Sequence, residues 1–186
     1  MLSEVSFSRV ESISDLQACV FIADFSFGKG YLTLADFSSP HAFVFCAFWN
    51  SRIVGFFLSF YTEKQSVGDE DLKNYFHSHG RLVFLKSVGI VPEHRQRGIG
   101  TALLQYVVDF HLANGDKGFY GNLWKIGTQI PFAKIVGRMG FSPIKEIPNY
   151  WSSDSLKRQY CCDACGKPPC TCSAMLYGID FETKKD

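Results

Sequence analysis

The sequence predicts a single domain of the α/β class, and its length and hydrophobic patterns both point that way. The chain has 186 residues, enough for one domain with a sizeable core. Hydrophobic residues, 46% of the total, recur every second residue in some segments and every third or fourth in others. No internal repeat divides the chain. We therefore expect one domain over residues 1–186, with a cysteine-rich insert over residues 148–173 between the last two strands.

The first half of the chain predicts strands and short helices. Alternation of apolar and polar residues indicates a half-buried first strand, and Ser14 can cap the helix after it. Two later apolar runs flank Asn50, Ser51 and Arg52, which favours a β-hairpin. The predicted elements are a strand at 5–10, helices at 15–25 and 32–37, strands at 41–49 and 53–61, and a polar loop at 63–80.

The second half begins with an apolar run that predicts a buried strand. Behind it, apolar residues recur at helical spacing until Asn114 and Gly115. A later helix has Thr128 as its expected cap, Pro131 in its first turn and Gly140 at its end. The predicted elements are a strand at 82–91, a helix that stops at 114–115, a strand at 119–126, a helix at 129–139, and strands at 141–147 and 174–179.

The turn between the buried strand and its helix carries the strongest functional signal. It holds Arg95, Gly98 and Gly100 in the pattern Arg-x-x-Gly-x-Gly, with Pro92 three residues upstream. A helix start leaves backbone N–H groups unpaired and carries partial positive charge, and both properties suit a bound phosphate. The two glycines let a ligand approach the backbone closely. The turn therefore predicts a pyrophosphate site.

Two common phosphate loops do not match this turn. A P-loop needs Gly-Lys-Ser/Thr, but Thr101 and Ala102 follow Gly100, and the dinucleotide fingerprint needs a third glycine where Leu103 stands. The pattern instead resembles the acyl-CoA loop of the GNAT superfamily of N-acetyltransferases. The element order β-α-α-β-β-β-α-β-α-β-β resembles the fold of that superfamily over nearly the whole chain.

This resemblance implies a mixed, mostly antiparallel sheet, flanked by helices and splayed between its fourth and fifth strands, with acetyl-CoA as co-substrate. The residues that match cofactor-binding positions are Val88, Gly89 and Ile90 on the strand, which would meet pantetheine, and Arg95, Gln96, Arg97, Gly98, Ile99, Gly100 and Thr101 in the loop, whose amides would hold the pyrophosphate. Gly89 has two interpretations: it marks a strand bulge, or it makes room for a neighbouring phenylalanine. His94 is expected to face solvent.

The resemblance does not supply the proton-transfer residues. In the branch that acetylates protein amino termini, a glutamate acts as base and a tyrosine as acid. The matching positions hold Trp124 and Val136, and Gln129 stands where that branch has a helix asparagine. Three explanations of the missing base and acid stay open. Other side chains supply them, water relays the protons, or the protein binds acyl-CoA without catalysing transfer. The loose candidates for proton transfer are Glu63, Tyr120, Tyr150 and Tyr160.

Five of the seven cysteines fall between Cys161 and Cys172. Cys162 and Cys165 have the Cys-x-x-Cys spacing of a zinc knuckle, and Cys170 and Cys172 form a tighter second pair. Four thiolates would make a closed tetrahedral zinc site, with Cys161 spare. Disulfides, an iron–sulfur cluster and plain buried thiols are the alternatives, and a cytosolic location argues against disulfides.

The insert needs something that holds it, because a long irregular connection is entropically costly. We expect a metal to hold Tyr150 and Trp151 as one wall of an acceptor pocket. Docking of a protein or nucleic-acid partner is the alternative. The little basic charge nearby favours the structural role.

Composition narrows the class of partner. The formal net charge is +1, so nucleic acid is not expected as a partner. No apolar stretch reaches the ~20 residues of a membrane span, and the first residues lack a secretion signal. We expect a cytoplasmic enzyme that transfers an acetyl group from acetyl-CoA to a primary amine of a small molecule or protein. The competing class is a non-catalytic acyl-CoA-binding or protein-interaction module. Neither the acceptor nor the oligomeric state follows from the sequence.

Overall fold

A seven-stranded sheet runs through the molecule, which this computed structural model describes over residues 4–76 and 79–182. Its strands are β1 (Val5–Arg9), β2 (Ala42–Trp49), β3 (Arg52–Glu63), β4 (Arg81–Ile90), β5 (Gly118–Lys125), β6 (Ser142–Ile147) and β7 (Ser173–Asp180). They lie in the order β1-β2-β3-β4-β5-β7-β6. Neighbouring strands run antiparallel, except that β4 and β5 run parallel. The expected mixed, mostly antiparallel sheet is confirmed.

Helices cover both faces of this sheet. They are α1 (Ile13–Phe27), α2 (Leu34–Phe37), α3 (Glu70–Tyr75), α4 (Ile99–Ala113), α5 (Ala133–Arg138) and α6 (Ser152–Arg158). On one face, α1 and α2 bury Ile22 and Phe37 together with Trp151, which directly precedes α6. On the other, Leu103 of α4 and Val136 of α5 join a second core. Within the described ranges, no helix has the length and apolar character needed to cross a membrane.

The first helix starts earlier than predicted. Its cap is Ser12 and not Ser14: Ser12 has an extended backbone, and its Oγ accepts a hydrogen bond from the N–H of Asp15 at 3.2 Å. The helix also continues two residues beyond the predicted end, to Phe27. Both serines can act as caps by residue type, so only the backbone conformation distinguishes them.

The helix predicted at 129–139 starts later, at Ala133. Gln129 is not helical, because its N–H and C=O each bond to the backbone of Ile126 at 2.9 Å. This tight turn follows β5, so Thr128 lies within it and caps no helix. Pro131 precedes the helix instead of lying in its first turn.

Two segments predicted to be irregular contain helices. The segment 63–80 holds a 3-10 turn at Lys64–Ser66 and α3, while its residues 77 and 78 lie outside the described part. Asp69 caps α3 by accepting the N–H of Leu72 at 3.1 Å, and Leu72 is buried beneath it. The insert between β6 and β7 likewise holds α6. Few apolar residues mark these short helices, so periodicity did not show them.

The expected splay between the fourth and fifth strands is present. The ladder between β4 and β5 has two residue pairs, Val83 with Phe119 and Phe84 with Tyr120. Beyond them β5 pairs with β7 along its other edge, while β4 stays on β3 as far as Ile90. The sheet therefore opens between β4 and β5 from Leu85 onward.

The bulge in β4 lies at Lys86, not at Gly89. Leu85 and Ser87 pair with consecutive residues of β3, so Lys86 is the extra residue. Gly89 pairs regularly with Phe56, and a Cβ at Gly89 would lie 2.6 Å from Cε1 of that ring. The prediction that Gly89 marks the bulge is wrong. The second interpretation, room for a phenylalanine, is correct.

A buried polar chain fastens α4 to the sheet. His111 Nδ1 lies 3.1 Å from Asp116 Oδ2, and His111 Nε2 lies 3.1 Å from Ser59 Oγ. Because the carboxylate accepts from Nδ1–H, Nε2 accepts the Ser59 hydroxyl. Arg81 completes the chain with Nη2 at 2.6 Å from Asp116 Oδ1. Ser59 and His111 are fully buried, so we assign this chain to stability.

This chain predicts a loss of stability in mild acid. Burial lowers the pKa of His111 below 6.5, and this effect exceeds the opposing effect of Asp116. As the pH falls through 6.5, the unfolded chain takes up a proton that the folded chain resists. The free energy of unfolding should then drop by up to about 1.4 kcal/mol per pH unit from this group. Urea titrations at pH 7.5 and 5.5 measure the drop. It should shrink in His111→Gln and persist in His41→Gln, an exposed control. Equal drops in both variants would contradict the assignment.

Candidate functional site

The glycine turn leads directly into α4, as predicted. After the 3-10 turn Pro92–His94, Gly98 adopts a left-handed backbone with φ of 80° and precedes the first residue of α4. The first intrahelical bond here runs from Ala102 N–H to the Gly98 carbonyl at 3.0 Å. The amides before Ala102 are therefore the ones that a helix start leaves without a helical partner. Gln96, Arg97 and Gly98 are exposed, so a ligand can reach this backbone.

Two side chains of the turn contact protein. Arg95 Nε donates to the carbonyl of Ile90 at 2.8 Å, which ties the turn back to the end of β4. The guanidinium of Arg97 lies 5.8 Å from the ring centre of Trp49. His94 is half-buried with its ring 5.1 Å from the same tryptophan, so the prediction that it faces solvent is wrong. These contacts shape the turn and leave its amides as the groups available to a ligand.

The split between β4 and β5 opens a cavity of about 290 Å³. On one face of the sheet its lining includes Leu104 of α4 and Val136 beside Phe141. On the other face it includes Trp151 and Tyr160. The residues that line it are Phe27, Tyr31, Phe57, Leu85, Lys86, Ser87, Val88, Leu104, Gly121, Asn122, Leu123, Trp124, Pro131, Phe132, Val136, Phe141, Trp151, Tyr160, Cys162, Cys170 and Tyr177. A ligand could therefore reach across the sheet through this opening.

The two positions that match the base and acid of the branch that acetylates protein amino termini both face this cavity. Trp124 and Val136 line it, and neither side chain can take up or release a proton near neutral pH. Gln129, at the third position, is outside the lining and bonds to the turn after β5. As the sequence predicts, these two positions bring no proton-transfer side chain to the cavity.

The four loose candidates for proton transfer divide into two pairs. Glu63 is exposed at the end of β3, and the Tyr120 hydroxyl donates to Thr62 Oγ1 at 3.2 Å; neither lines the cavity. Tyr160 does line it, and burial raises the pKa of this phenol. The Tyr150 hydroxyl accepts a hydrogen bond from Asn122 Nδ2 at 2.7 Å, and Asn122 lines the cavity.

Five polar residues of the cavity were not predicted as site residues: Tyr31, Lys86, Ser87, Asn122 and Tyr177. Asn122 Oδ1 is buried and has no hydrogen-bond partner among the described residues. Lys86 is the bulge residue of β4 and points its ammonium toward the Tyr31 ring, 5.2 Å from its centre. One signal was available in the sequence. Lys86 is the sole charged residue in the apolar run 82–91.

The four cysteines predicted to bind metal come together. Their Sγ atoms lie within 4.8 Å of one another, and Cys161 is exposed outside the group. The Sγ separations are 3.2 Å for Cys165–Cys172, 3.8 Å for Cys165–Cys170 and 3.9 Å for Cys162–Cys172. A zinc ion with four bonds of about 2.3 Å would hold its sulfurs about 3.8 Å apart. All four are free thiols, and the donor set fits that ion.

The protonation of these thiols is uneven. Burial raises the pKa of Cys165, but hydrogen bonds with Thr171, Cys172 and Cys170 together lower it by more, to about 6. Burial raises the pKa of Cys172 to about 11, against the effect of the Trp124 indole, which donates to its Sγ. One thiol of the cluster is thus already a thiolate near neutral pH. Because Trp124 both lines the cavity and donates to Cys172, it connects the cysteine cluster to the cavity.

The insert is fixed to the rest of the domain at several points. Arg158 forms a bidentate ion pair with Asp36, with Nη–Oδ distances of 2.8 and 3.0 Å, which joins α6 to α2. Gly28 ends α1 with φ of 98°, and a Cβ there would overlap the carbonyl oxygen of Cys161. Cys162 and Cys170 then line the cavity beside Trp151. The cysteine cluster is therefore part of the cavity wall.

Comparisons with known proteins agree with this architecture. The model of the acetyltransferase (GNAT) family matches residues 10–128. NAA60 of Arabidopsis thaliana, solved in complex with acetyl-CoA, is 19% identical, with a TM-score of 0.73 over 96% of this chain and 99% of that one. Naa50 of the same plant, solved with the bisubstrate analogue CoA-Ac-MVNAL, is 18% identical, with a TM-score of 0.66 over 96% and 99%.

A bacterial structure has the same fold. The ribosomal-protein-S18-alanine N-acetyltransferase of Escherichia coli is 14% identical, with a TM-score of 0.66 over 95% of this chain and 94% of that one. At such identities the likeness shows the fold alone. A search of curated proteins finds no match. The family model, however, spans well over half of the sequence. The chain belongs to the acetyltransferase (GNAT) family.

Proposed function

We propose that this protein is an N-acetyltransferase that moves an acetyl group from acetyl-CoA to a primary amine. The observation that carries the proposal is the cavity at the split between β4 and β5, which reaches both faces of the sheet. A thioester held in the split could meet an amine that arrives from the other face. Membership of the GNAT family supports the reaction type.

The turn before α4 is the proposed site for the pyrophosphate of acetyl-CoA. Backbone amides of Gln96, Arg97, Gly98, Ile99, Gly100 and Thr101 would bind it, helped by the positive end of α4. Arg95 would act by holding the turn on Ile90. The pantetheine arm would run along β4 beside Val88, Gly89 and Ile90, where β5 no longer occupies the strand edge.

The proposed chemistry relies mainly on position. The amine nitrogen attacks the thioester carbonyl carbon, the C–S bond breaks, and the proton lost by the amine balances the one gained by the CoA thiolate. Asn122 Oδ1, buried and unpaired in the described structure, can accept an N–H of the amine and orient its lone pair. Tyr31 and Tyr160 line the same space, and their hydroxyls could pass protons to water.

Two observations favour this enzyme over a non-catalytic acyl-CoA-binding module. The cavity continues past the split to Trp151 and Tyr160, which binding of the cofactor alone does not require. A hydrogen-bond acceptor, Asn122 Oδ1, is also left unused within it. Buried polar atoms without partners are costly, so a group of the acceptor is the natural partner.

We also propose a structural zinc ion at Cys162, Cys165, Cys170 and Cys172. The donor set is all sulfur, and the closed geometry leaves no position for a substrate. The ion would fix the cavity wall that carries Trp151. A reducing cytoplasm, which we propose as the location, would keep these residues as thiols.

Replacement of Gly100 tests the cofactor site. Gly100→Asp would place a negative side chain beside the amides proposed to bind pyrophosphate, so the affinity for acetyl-CoA should fall ~10-fold or more. Asn114→Asp adds the same charge at the exposed far end of α4 and should leave it unchanged. Calorimetry measures both affinities, and thiol release from acetyl-CoA with a panel of amines measures turnover. Absence of binding by the natural protein, or equal affinities, would contradict the proposal.

Replacement of Cys165 tests the metal. The natural protein should hold about one zinc per chain by elemental analysis. Cys165→Ser should lose it, whereas Cys161→Ser, outside the cluster, should keep it. The loop before α4 is remote from the cluster in sequence, so both variants should still bind acetyl-CoA. A metal-free natural protein whose cluster cysteines are disulfide-bonded would refute the site.

A further inference from the structure

Lys86 places one positive charge in a cavity that is lined mainly by aromatic and aliphatic side chains. No other Lys, Arg, Asp or Glu occurs among the described residues that line it. Its surroundings are mainly aromatic, with the Tyr31 ring centre 5.2 Å from Nζ. A lone ammonium in such a place is costly to desolvate unless an anion joins it.

The backbone itself directs Lys86 to this place. Without the bulge, strict alternation along β4 would give Lys86 an ordinary pairing partner on β3. Bulges re-aim a side chain, and they occur often beside active sites. Here the bulge lies at the point where β4 and β5 part, so the re-aimed side chain enters the cavity.

The protein supplies no carboxylate to Lys86. None of the ion pairs among the described residues includes Lys86. Asp154, a carboxylate whose charge favours the charged form of Lys86, is itself paired with Arg158 at 2.9 Å. Burial disfavours the charged form, yet Tyr31, Tyr150 and Asp154 together outweigh it and raise the pKa of Lys86. The residue is therefore a cation at neutral pH, with hydroxyls near it and no ion-pair partner among the described residues.

We infer that Lys86 binds a carboxylate of the acceptor and so selects amine acceptors that carry an anionic group close to the amine. This inference rests on the proposed function and names its substrate class. Lys86 on β4 and Asn122 on β5 lie on opposite sides of the split. The acceptor would be held at two points, its carboxylate at Lys86 and its amine at Asn122.

Because the site lacks a carboxylate base, the acceptor amine it suits is an α-amino group. An α-amino group has a pKa of about 7.7–8.0, so a substantial fraction is neutral at physiological pH, whereas a lysine side chain near 10.4 is almost wholly charged. A site without a carboxylate base suits the α-amino group. A peptide whose amino-terminal residue is acidic has both this amine and a nearby carboxylate. A free amino acid also joins an α-amino group to a carboxylate, but that carboxylate makes its amine more basic than a peptide's, so the peptide fits a site without a base better.

Matched acceptors test the selection. One arm compares amino-terminal Glu with Gln in peptides whose carboxyl terminus is amidated, and the other compares free amino acids with their amides. The natural enzyme should prefer the carboxylate by ~10-fold or more in kcat/KM in at least one arm, and that arm identifies the source. Lys86→Met should remove the preference, Lys86→Glu should reverse it, and Lys86→Arg should retain it. Lys134→Met, an exposed control on α5, should behave like the natural enzyme.

Binding measurements separate this inference from the proposed function. Calorimetry on protein saturated with CoA needs no turnover. Its ligands are the acetylated Glu and Gln peptides, the acetylated amino acid and the acetylated amino-acid amide. Tighter binding of the carboxylate that disappears in Lys86→Met supports Lys86 even if no acceptor reacts. A preference that survives in Lys86→Met, or the absence of any preference in both measurements, would overturn the inference. The affinity for acetyl-CoA should be the same in all Lys86 variants.

Discussion

The early separation of β4 from β5 is the constraint on which the rest of this structure depends. Two residue pairs hold these parallel strands together, and then β5 follows β7 while β4 follows β3. An unpaired strand edge inside a domain is costly, because its N–H and C=O groups need partners. In the proposed function, the amide groups of pantetheine meet that need. The cavity and the access to Asn122 follow from this opening, and the bulge at Lys86 lies where the opening begins.

The cysteine-rich insert closes one side of this opening, and Trp151 and Tyr160 pack into the core on that face. Its α6 is joined to α2 by the Arg158–Asp36 ion pair, and its thiols gather beside Trp151. Trp124 connects the two features, since its indole contacts both the cavity and Cys172. Trp124, which matches the position of the base in the branch that acetylates protein amino termini, is thus hydrogen-bonded to the cysteine cluster here. This arrangement fits a reaction that depends on positioning rather than on a dedicated base.

Local chemistry made much of the fold predictable from sequence, and distant pairing explains the rest. The glycine turn, the flanking strand and helix, and the cysteine spacing each depend on neighbouring residues, and the structure has them as predicted. The bulge at Lys86 depends on the register with β3, which no local pattern encodes. The late start of α5 depends on the turn that Gln129 forms with Ile126. No sequence pattern marks Asn122, because its unpaired oxygen exists only once the cavity has formed.

A crystal structure of the protein with acetyl-CoA tests the central claim most directly. The account predicts that the pyrophosphate lies on the amides at 96–101 and that pantetheine pairs with the free edge of β4 near Val88. The thioester should then sit in the split, within reach of the cavity on the side of Lys86 and Trp151. A cofactor bound elsewhere, or a β5 that closes onto β4 when it binds, would contradict the account.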